Sequence, residues 1–379
     1  MHSFHQTIGH EILILGGGII GLSLAYELSM LGQSVIVIER ESVGRAASWA
    51  GVGILPPAAS TAVDDPLEQL RALSHRLHAE WAVRLRSETG LDNGWRASGG
   101  VYLATSRGEA ATLAANQLWW QELGIRAERW SGQDLIHHEP KLTPLARSPQ
   151  LQSVWWLPDE CQVRPPHHMR ALQQACIQRG VRFLEHCPVQ QIEPQGHTGV
   201  RLQTAHGVIE GQRLCITAGP WTRGLLEPLR VSTGILPIRG QVILYHPETR
   251  WLHSVINEGH RYLVPRDDGR ILVGSNEEEV GFVCEGNQRA IEELHAWACS
   301  ILPELSSVTI EKSWAGLRPG SFDSYPYIGR LSTYPQIFVA AGHYRAGIHL
   351  SCGTASVLAE LMLHGQASID LQSFRPGRG

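Results

Sequence analysis

Gly16-Gly17-Gly18-Ile19-Ile20-Gly21 fits the pattern G-x-G-x-x-G, and its three spaced glycines have separate jobs. Gly16 permits a tight turn, Gly18 lets the backbone approach a pyrophosphate, and Gly21 lets a helix pack closely on a strand. A helix opening on such a loop, here at Ile19 and Ile20, offers unpaired N–H groups and partial positive charge to an anion. Alone the pattern is weak, so the flanking elements decide. EILIL, residues 11–15, reads as a short buried strand running into the glycines. Ile20, Leu24, Leu28 and Leu31 then recur at helical spacing up to Gly32. SVIVIE, residues 34–39, is a second buried strand ending on Glu39, an acid placed to accept hydrogen bonds from adenosine ribose hydroxyls. The whole is a β–α–β unit for a dinucleotide.

The segment after Glu39 and Arg40 separates a flavin from a nicotinamide. GRAASWAGVGILPP, residues 44–57, contains Arg45, Ala47, Ser48, Gly51, Val52 and Gly53. Small residues let a backbone lie flat against a large cofactor, and Ser48 can bond a phosphate or ribityl oxygen. A plain nicotinamide dehydrogenase has no need of such a segment; a ligand-free Gly/Ala-rich loop is the alternative. Near the C-terminus, AAGHYRAGIHLSCG places Gly342 and Gly347 around a loop that opens a helix. Aimed at a flavin pyrimidine, that helix N-terminus would stabilise the negative charge that builds there on reduction. FAD is the expected cofactor.

The elements that must position these groups are of two kinds. Helices are predicted over 67–89, 108–124, 166–180, 287–302 and 351–362. Apolar strands resembling the first occur at 181–186, 214–219 and 337–342, whereas 241–245, 261–265 and 270–274 look antiparallel. With 379 residues, two domains are expected. Nucleotide-type strands at the start, middle and end imply that the two are woven together. The reading is an α/β fold: a Rossmann-like FAD-binding domain of 1–90, 152–223 and 319–379, and a substrate domain of 91–151 and 224–318 built on an antiparallel sheet.

Composition excludes several other classes. Lys and Arg total 32 against 36 for Asp and Glu, leaving no basic excess to attract nucleic acid. The seven cysteines form no CxxC pair and are odd in number, which fits reduced thiols in a cytoplasmic protein. MHSFHQTIGH has no signal-peptide pattern. The apolar stretch 12–31 is interrupted by glycines and Glu27, so no membrane span is expected. Among 19 histidines, His137-His138 and His167-His168 are adjacent pairs that cannot face one another on a helix, and no metal-binding spacing occurs; no metal is expected. G-x-S-x-G is absent, so a serine hydrolase is not indicated.

GGGIIG, ASWAGVGI, TAGPW (217–221), WAGLRPGSFDSYPYIGR (314–330) and AAGHYRAGI (340–348), in this order, resemble the motifs of the D-amino acid oxidase family, nearest to its glycine oxidase branch. The resemblance runs over essentially the whole chain and is weakest across 90–150. It implies that Arg318, in GLRPG, holds a substrate carboxylate as a bidentate pair, that Tyr262, in RYLVPR, adds a hydroxyl hydrogen bond, and that Arg345, in GHYRAG, lines the site. Without the resemblance, Arg318 reads as a solvated salt-bridge partner and Tyr262 as a packing residue. It also implies that Ala218 and Gly219 belong to the cofactor site, that Val189 meets the adenine end, and that Gly342, His343, Tyr344, Ala346, Gly347 and Ile348 border the flavin ring through backbone groups. Relatives with covalent flavin carry a Cys near the segment aligned with 312–325. None occurs there, so the FAD is expected to be non-covalent.

The activity so implied is oxidative deamination of a small amino acid or amine, such as glycine, sarcosine or a D-amino acid. Hydride passes to the flavin and molecular oxygen is the acceptor, with a link to thiamine biosynthesis. A dehydrogenase using another acceptor, and a tRNA-modifying flavoprotein of the same fold, are the alternatives. Homo-oligomerisation is left open.

Overall fold

In the computed structural model, residues 11–378 are described. The polar segment 1–10, read above for a signal peptide, lies outside them.

Ile12–Leu15 and Val35–Ile38 are fully buried parallel strands joined by the helix Ile19–Met30. They sit centrally in a six-stranded sheet. From one edge its order is Tyr327–Arg330, Ile337–Ala341, Arg213–Ile216, Ile12–Leu15, Val35–Ile38 and Arg182–Leu184. All neighbours are parallel except the first two. Buried on both faces, these strands are continuous apolar runs, as parallel sheets require. On one face the helix Ile19–Met30 packs with Pro66–Thr89, Pro165–Gln178 and Ser351–His364. The helix Pro66–Thr89 is defined at both ends. Asp65 accepts from the Leu67 and Glu68 N–H groups, Pro66 opens it, and Gly90 closes it at φ 73°. A three-stranded antiparallel sheet, Val189–Gln195, Gly199–Thr204 and Gly207–Gly211, packs on the other face.

The second large sheet has eight strands, in the order Ile310–Gly320, Leu236–Tyr245, Ile271–Gly274, Arg261–Pro265, Val255–Glu258, Gly100–Ala104, Ser153–Leu157 and Glu128–Arg129. Its pairings are antiparallel except between Val255–Glu258 and Gly100–Ala104. Ser153–Leu157 belongs here although it lies beyond residue 151, where the sequence reading ends this unit. One face carries Ile243, Leu263, Ile271 and Val273, covered by Leu294, Trp297 and Ile301 of the helix Gln288–Ile301. The other face bears the site. One row runs across it by direct pairing: Trp314, Val242, Gly274, Tyr262, Asn257, Tyr102 and Trp155. Paired residues share a face, so this row looks towards the first sheet.

Arg266, directly after the strand that carries Tyr262, joins the two sheets. Its buried guanidinium donates to Gln162 Oε1, to the Val163 carbonyl and to the Val52 carbonyl. Burial drags its pKa down to about 9, which leaves it charged at neutral pH. Arg266→Met would strand those buried acceptors, each worth about 1–3 kcal/mol when unpaired. The expected outcome is a lower Tm together with weakened flavin retention, read by thermal unfolding and by absorbance of the purified protein.

The described cysteines are all free thiols. Five are buried, Cys299 is half-buried and Cys284 is exposed. No described helix is long and apolar enough to cross a membrane.

Candidate active site

The glycine loop is built for close approach. Gly16 has φ 118°, and a Cβ there would lie 2.6 Å from the Thr217 carbonyl oxygen. A Cβ on Gly21 would lie 2.0 Å from the Gly16 carbonyl oxygen, which also accepts from Thr217 Oγ1 at 2.8 Å. Gly18 differs. Its φ of −74° suits any residue, and a Cβ there would meet only Ser48 Oγ, at 3.3 Å. The chain's own packing therefore does not demand glycine at 18. It leaves an open cradle at a helix N-terminus, which fits a pyrophosphate. Glu39 Oε2 accepts from the Gly17 N–H at 2.8 Å and Oε1 from the Glu41 N–H at 3.0 Å, so the acid also shapes the loop.

Ser48, on the short helix Ala47–Ala50, accepts from the Ile19 N–H at 2.9 Å and so ties this segment to the first helix. Arg40 and Arg45 are exposed, and the Arg40 guanidinium carbon lies 3.8 Å from the Trp221 ring centroid. Val189, Ala218 and Gly219 are half-buried. Gly219 has φ 55°, and a Cβ there would meet nothing within 4 Å. A Cβ on Gly51 would lie 2.6 Å from Ile348 Cδ1, and one on Gly53, at φ 78°, 2.2 Å from the Val163 carbonyl oxygen. The run 47–53 is thus pressed between the C-terminal loop and the Val163 backbone, with Val52 fixed by Arg266.

That C-terminal loop begins at Gly342, at φ 80°, and passes through Tyr344, at φ 49°, before the helix Ser351–His364. Arg345 is exposed, whereas Ala346, Gly347 and Ile348 are half-buried. The loop is held from beneath. His78 Nε2 lies 2.9 Å from the Ile348 carbonyl and 3.1 Å from that of His349, so it carries the proton; Ser74 Oγ also donates to His349. Burial pulls His78 down to about 4 and His343 to about 3, so both rings are neutral. His343 Nε2 lies 3.1 Å from Thr354 Oγ1. Sequence spacing did not show that His78, His168 and Cys352 meet, with one potential ligand atom each inside 4.8 Å. His78 Nδ1 faces Cys352 Sγ at 3.6 Å, and His168 Nδ1 accepts from Asn93 Nδ2 at 3.1 Å. These contacts read as packing under the loop.

Between loop and sheet lies a cavity of about 410 Å³ bordered by Gly51, Ala346 and Ile348 on one side and by Tyr262, Asn257 and Arg318 on the other. The Arg318 side chain lies flat across Gly240, where a Cβ would fall 2.1 Å from the guanidinium. Its nitrogens donate to the Asn276 carbonyl at 3.1 Å and to Ser275 Oγ at 2.6 Å. Both acceptors are neutral. Among the described residues Arg318 forms no ion pair, although its charge, after that of Arg345, helps to hold the Glu277 carboxyl below the usual range. Arg345 is different: it pairs with Glu277 and donates to the His260 carbonyl at 3.0 Å. The Tyr262 ring fills space left by Gly274, where a Cβ would lie 2.7 Å from the hydroxyl.

A further polar group was missed in the sequence. Glu160 is fully buried. It accepts from the Tyr102 hydroxyl at 2.5 Å and from Asn257 Nδ2 at 2.9 Å, and Tyr102 and Asn257 both line the cavity. Burial pushes its carboxyl up to about 7. A Cβ on Gly100 would lie 2.5 Å from that carboxyl. Nothing in the string PDECQ marks a buried acid; the glycine at 100 opposite it was the one available sign.

With the geometry in place, the chain can be set beside known proteins. The DAO family of FAD dependent oxidoreductases matches residues 11–361. A glycine oxidase of Pseudomonas aeruginosa is 32% identical, the match covering 97% of this chain and 99% of that one. A bifunctional protein ThiO/ThiG of Nostoc is 31% identical over 97% of this chain, which aligns with 55% of its length. The crystal structure of glycine oxidase from Geobacillus kaustophilus superposes with a TM-score of 0.92 at 27% identity, covering 98% of this chain and all of that one. A match running from the first strand into the last long helix, on a loop and cradle shaped for a dinucleotide, makes this chain a member of the DAO family of FAD dependent oxidoreductases, with FAD as its cofactor.

Proposed function

We propose that this enzyme oxidises the amino group of a small amino acid, such as glycine, sarcosine or a D-amino acid, to the imine. Water then hydrolyses the imine to a 2-oxo acid and ammonia, or methylamine where sarcosine is the substrate. Molecular oxygen is the final acceptor and gives hydrogen peroxide. The single observation that carries the reading is Arg318: a half-buried cation on the cavity floor whose hydrogen-bond partners are neutral and which forms no ion pair among the described residues. A planar guanidinium with donors in a fork suits a carboxylate.

In this reading Arg318 and Tyr262 hold the substrate carboxylate, and Arg345, neutralised by Glu277, lines the entrance. When bound, the FAD supplies a two-electron acceptor for the hydride leaving the substrate carbon. Gly16, Gly18, Ile19, Ile20 and Gly21 receive its pyrophosphate, and Glu39 its ribose. Arg40, Arg45, Val189, Ala218 and Gly219 border the nucleotide end. Ala47, Ser48, Gly51, Val52 and Gly53, together with Gly342, His343, Tyr344, Ala346, Gly347 and Ile348, would border the ring. The neutral histidines beneath the loop add no positive charge, so the N-terminus of the helix Ser351–His364 is the local electrostatic feature there. Similarity to glycine oxidases and to a ThiO/ThiG protein supports glycine and a link to thiamine biosynthesis, and the free thiols support the cytoplasm. The FAD is read as non-covalent, since 312–325 contains no Cys.

Three outcomes are expected. Acid or heat should release flavin from the yellow protein; flavin staying on the denatured polypeptide would contradict the non-covalent assignment. Gly18→Val should fold, because its Cβ meets little protein, yet lose flavin, because a side chain would occupy the cradle; measured flavin content decides. Arg318→Lys keeps the charge but loses the fork. Apparent affinity for glycine should fall about tenfold or more, since a charge-assisted hydrogen bond is worth about 1.5–3 kcal/mol and each 1.4 kcal/mol is one decade. Anaerobic flavin bleaching by glycine, sarcosine and D-alanine reads this directly, and an amine without a carboxylate should respond little to the change.

A further inference from the structure

We infer that Arg345 is a positioning residue: with Tyr344 it holds the Glu277 carboxylate off Arg318, and so keeps that guanidinium open for a substrate carboxylate. The inference rests on Arg318 as the carboxylate site of the proposed function.

Chain adjacency brings an internal acid to Arg318. Arg318 donates to Ser275 Oγ and, through Nη1, to the Asn276 carbonyl at 3.1 Å. Glu277 is the next residue. Its Cα follows that carbonyl across one peptide bond, which places it within about 6 Å of Nη1 by bond lengths alone. A glutamate side chain is long enough to close that gap. The acid after it is committed elsewhere: Glu278 accepts from Arg239 at 3.1 Å, from Gln241 at 3.0 Å and from Asn276 Nδ2 at 2.8 Å. Glu277 is therefore an anion within reach of Arg318 from inside the protein.

In the structure Glu277 is turned to other partners. Arg345 Nη1 donates to its Oε1, while Arg345 Nη2 donates to the His260 carbonyl at 3.0 Å. The Tyr344 hydroxyl is a hydrogen-bonding neighbour of the same carboxylate. A partly exposed ion pair is weak by itself. The His260 carbonyl, which anchors the arginine, and the Tyr344 hydroxyl give this one a direction. Partial burial works to raise the Glu277 carboxyl, yet Tyr344, Arg345 and lastly the Arg318 charge outweigh it and keep the group an anion at neutral pH. An anion on so short a tether competes with a diffusing ligand as though present at roughly millimolar concentration or more. Left unrestrained it would take up Arg318 for part of the time, and a ligand would bind only the fraction of molecules left open. Restraining Glu277 from the C-terminal loop leaves Arg318 on its neutral oxygens.

The test is a double-mutant cycle on FAD-loaded enzyme. Binding of acetate is read from the perturbed flavin spectrum, and binding of glycine from the concentration dependence of anaerobic flavin reduction. Arg345→Met removes the cation and keeps the bulk of the side chain. In the wild-type background it is expected to weaken both ligands about tenfold, the loss that follows when Arg318 is open in about one molecule in ten. In a Glu277→Gln background, where no anion is left to move, the same change is expected to weaken them by less than about twofold. Tyr344→Phe keeps every charge and carries the same comparison if Arg345→Met loses flavin; its cost is expected to be about threefold, and to vanish with Glu277→Gln. Equal losses in the two backgrounds would mean that Arg345 meets the ligand itself. No loss in either would mean that Glu277 stays off Arg318 unaided. Each of these results overturns the inference, and leaves the carboxylate site standing if Arg318→Lys weakens both ligands. Unchanged binding of both ligands by Arg318→Lys would overturn the carboxylate site and this inference with it.

Discussion

The guanidinium of Arg266 ties the eight-stranded sheet to the run around Val52 that borders the cavity from the other side. Arg266 follows the strand that carries Tyr262, and it donates to the backbone of Val52, inside the run that borders the cavity from the first sheet. The group is buried without a carboxylate partner among its hydrogen bonds; all its acceptors are carbonyl or amide oxygens. A buried cation held this way is expensive to desolvate, and its neutral acceptors return less than a carboxylate would. What it supplies is direction. A planar fork with three fixed acceptors permits little sliding of one sheet over the other, and a catalytic cavity formed between two sheets tolerates little. The short helix Ala47–Ala50 leans on the same joint from the other end, against Gly316, where a Cβ would lie 2.5 Å from that of Ala50.

The floor of the cavity departs from ordinary strand composition for a related reason. Glycine weakens a strand, having no side chain to pack and more backbone freedom to lose. The eight-stranded sheet nevertheless places glycine at 100, 240, 274 and 316, each beneath something specific. Gly100 admits Glu160, Gly240 admits Arg318, Gly274 admits Tyr262, and Gly316 admits Ala50. Polar side chains are laid flat on a pleated surface by removing the side chain under them. Stability is given up at these four positions, and the cores on the far face of the sheet and around the first helix supply the compensation.

This also explains which parts of the molecule were legible in the sequence. The β–α–β unit was readable because its information is local: two apolar runs, a glycine loop and one helical stripe. The helix was readable over 67–89 from its apolar spacing, and in the structure Asp65 and Gly90 bound it. By contrast, the strand Ile310–Gly320 was seen only as a motif. EKSWAGLRPG alternates poorly and contains a proline, which a sheet tolerates here because this is an edge strand. The strands Gly100–Ala104 and Ser153–Leu157 were missed, as was Glu160 in the turn beyond the second. A buried acid is defined by partners distant in sequence, here Tyr102 and Asn257, and no local pattern announces it. The meeting of His78, His168 and Cys352 was invisible for the same reason.

Charge pairing bears on two residues that the resemblance ranked. Arg318 and Arg345 both sit in ordered motifs, and the resemblance gives the carboxylate to Arg318 and a lining place to Arg345. In the structure the cavity has several cations along its walls, and their partners differ. Arg71 pairs with Glu68, and Arg345 with Glu277. Arg318 alone of these three rests on neutral oxygens. A cation already matched to a carboxylate gains little from a second anion, because binding would have to displace or share an existing partner in a medium that screens poorly. A cation held in position by neutral dipoles has paid for its orientation and keeps its full attraction for an incoming anion. Pre-organisation without an ion pair suits a carboxylate site, and it favours Arg318 over Arg345 as the proposed anchor.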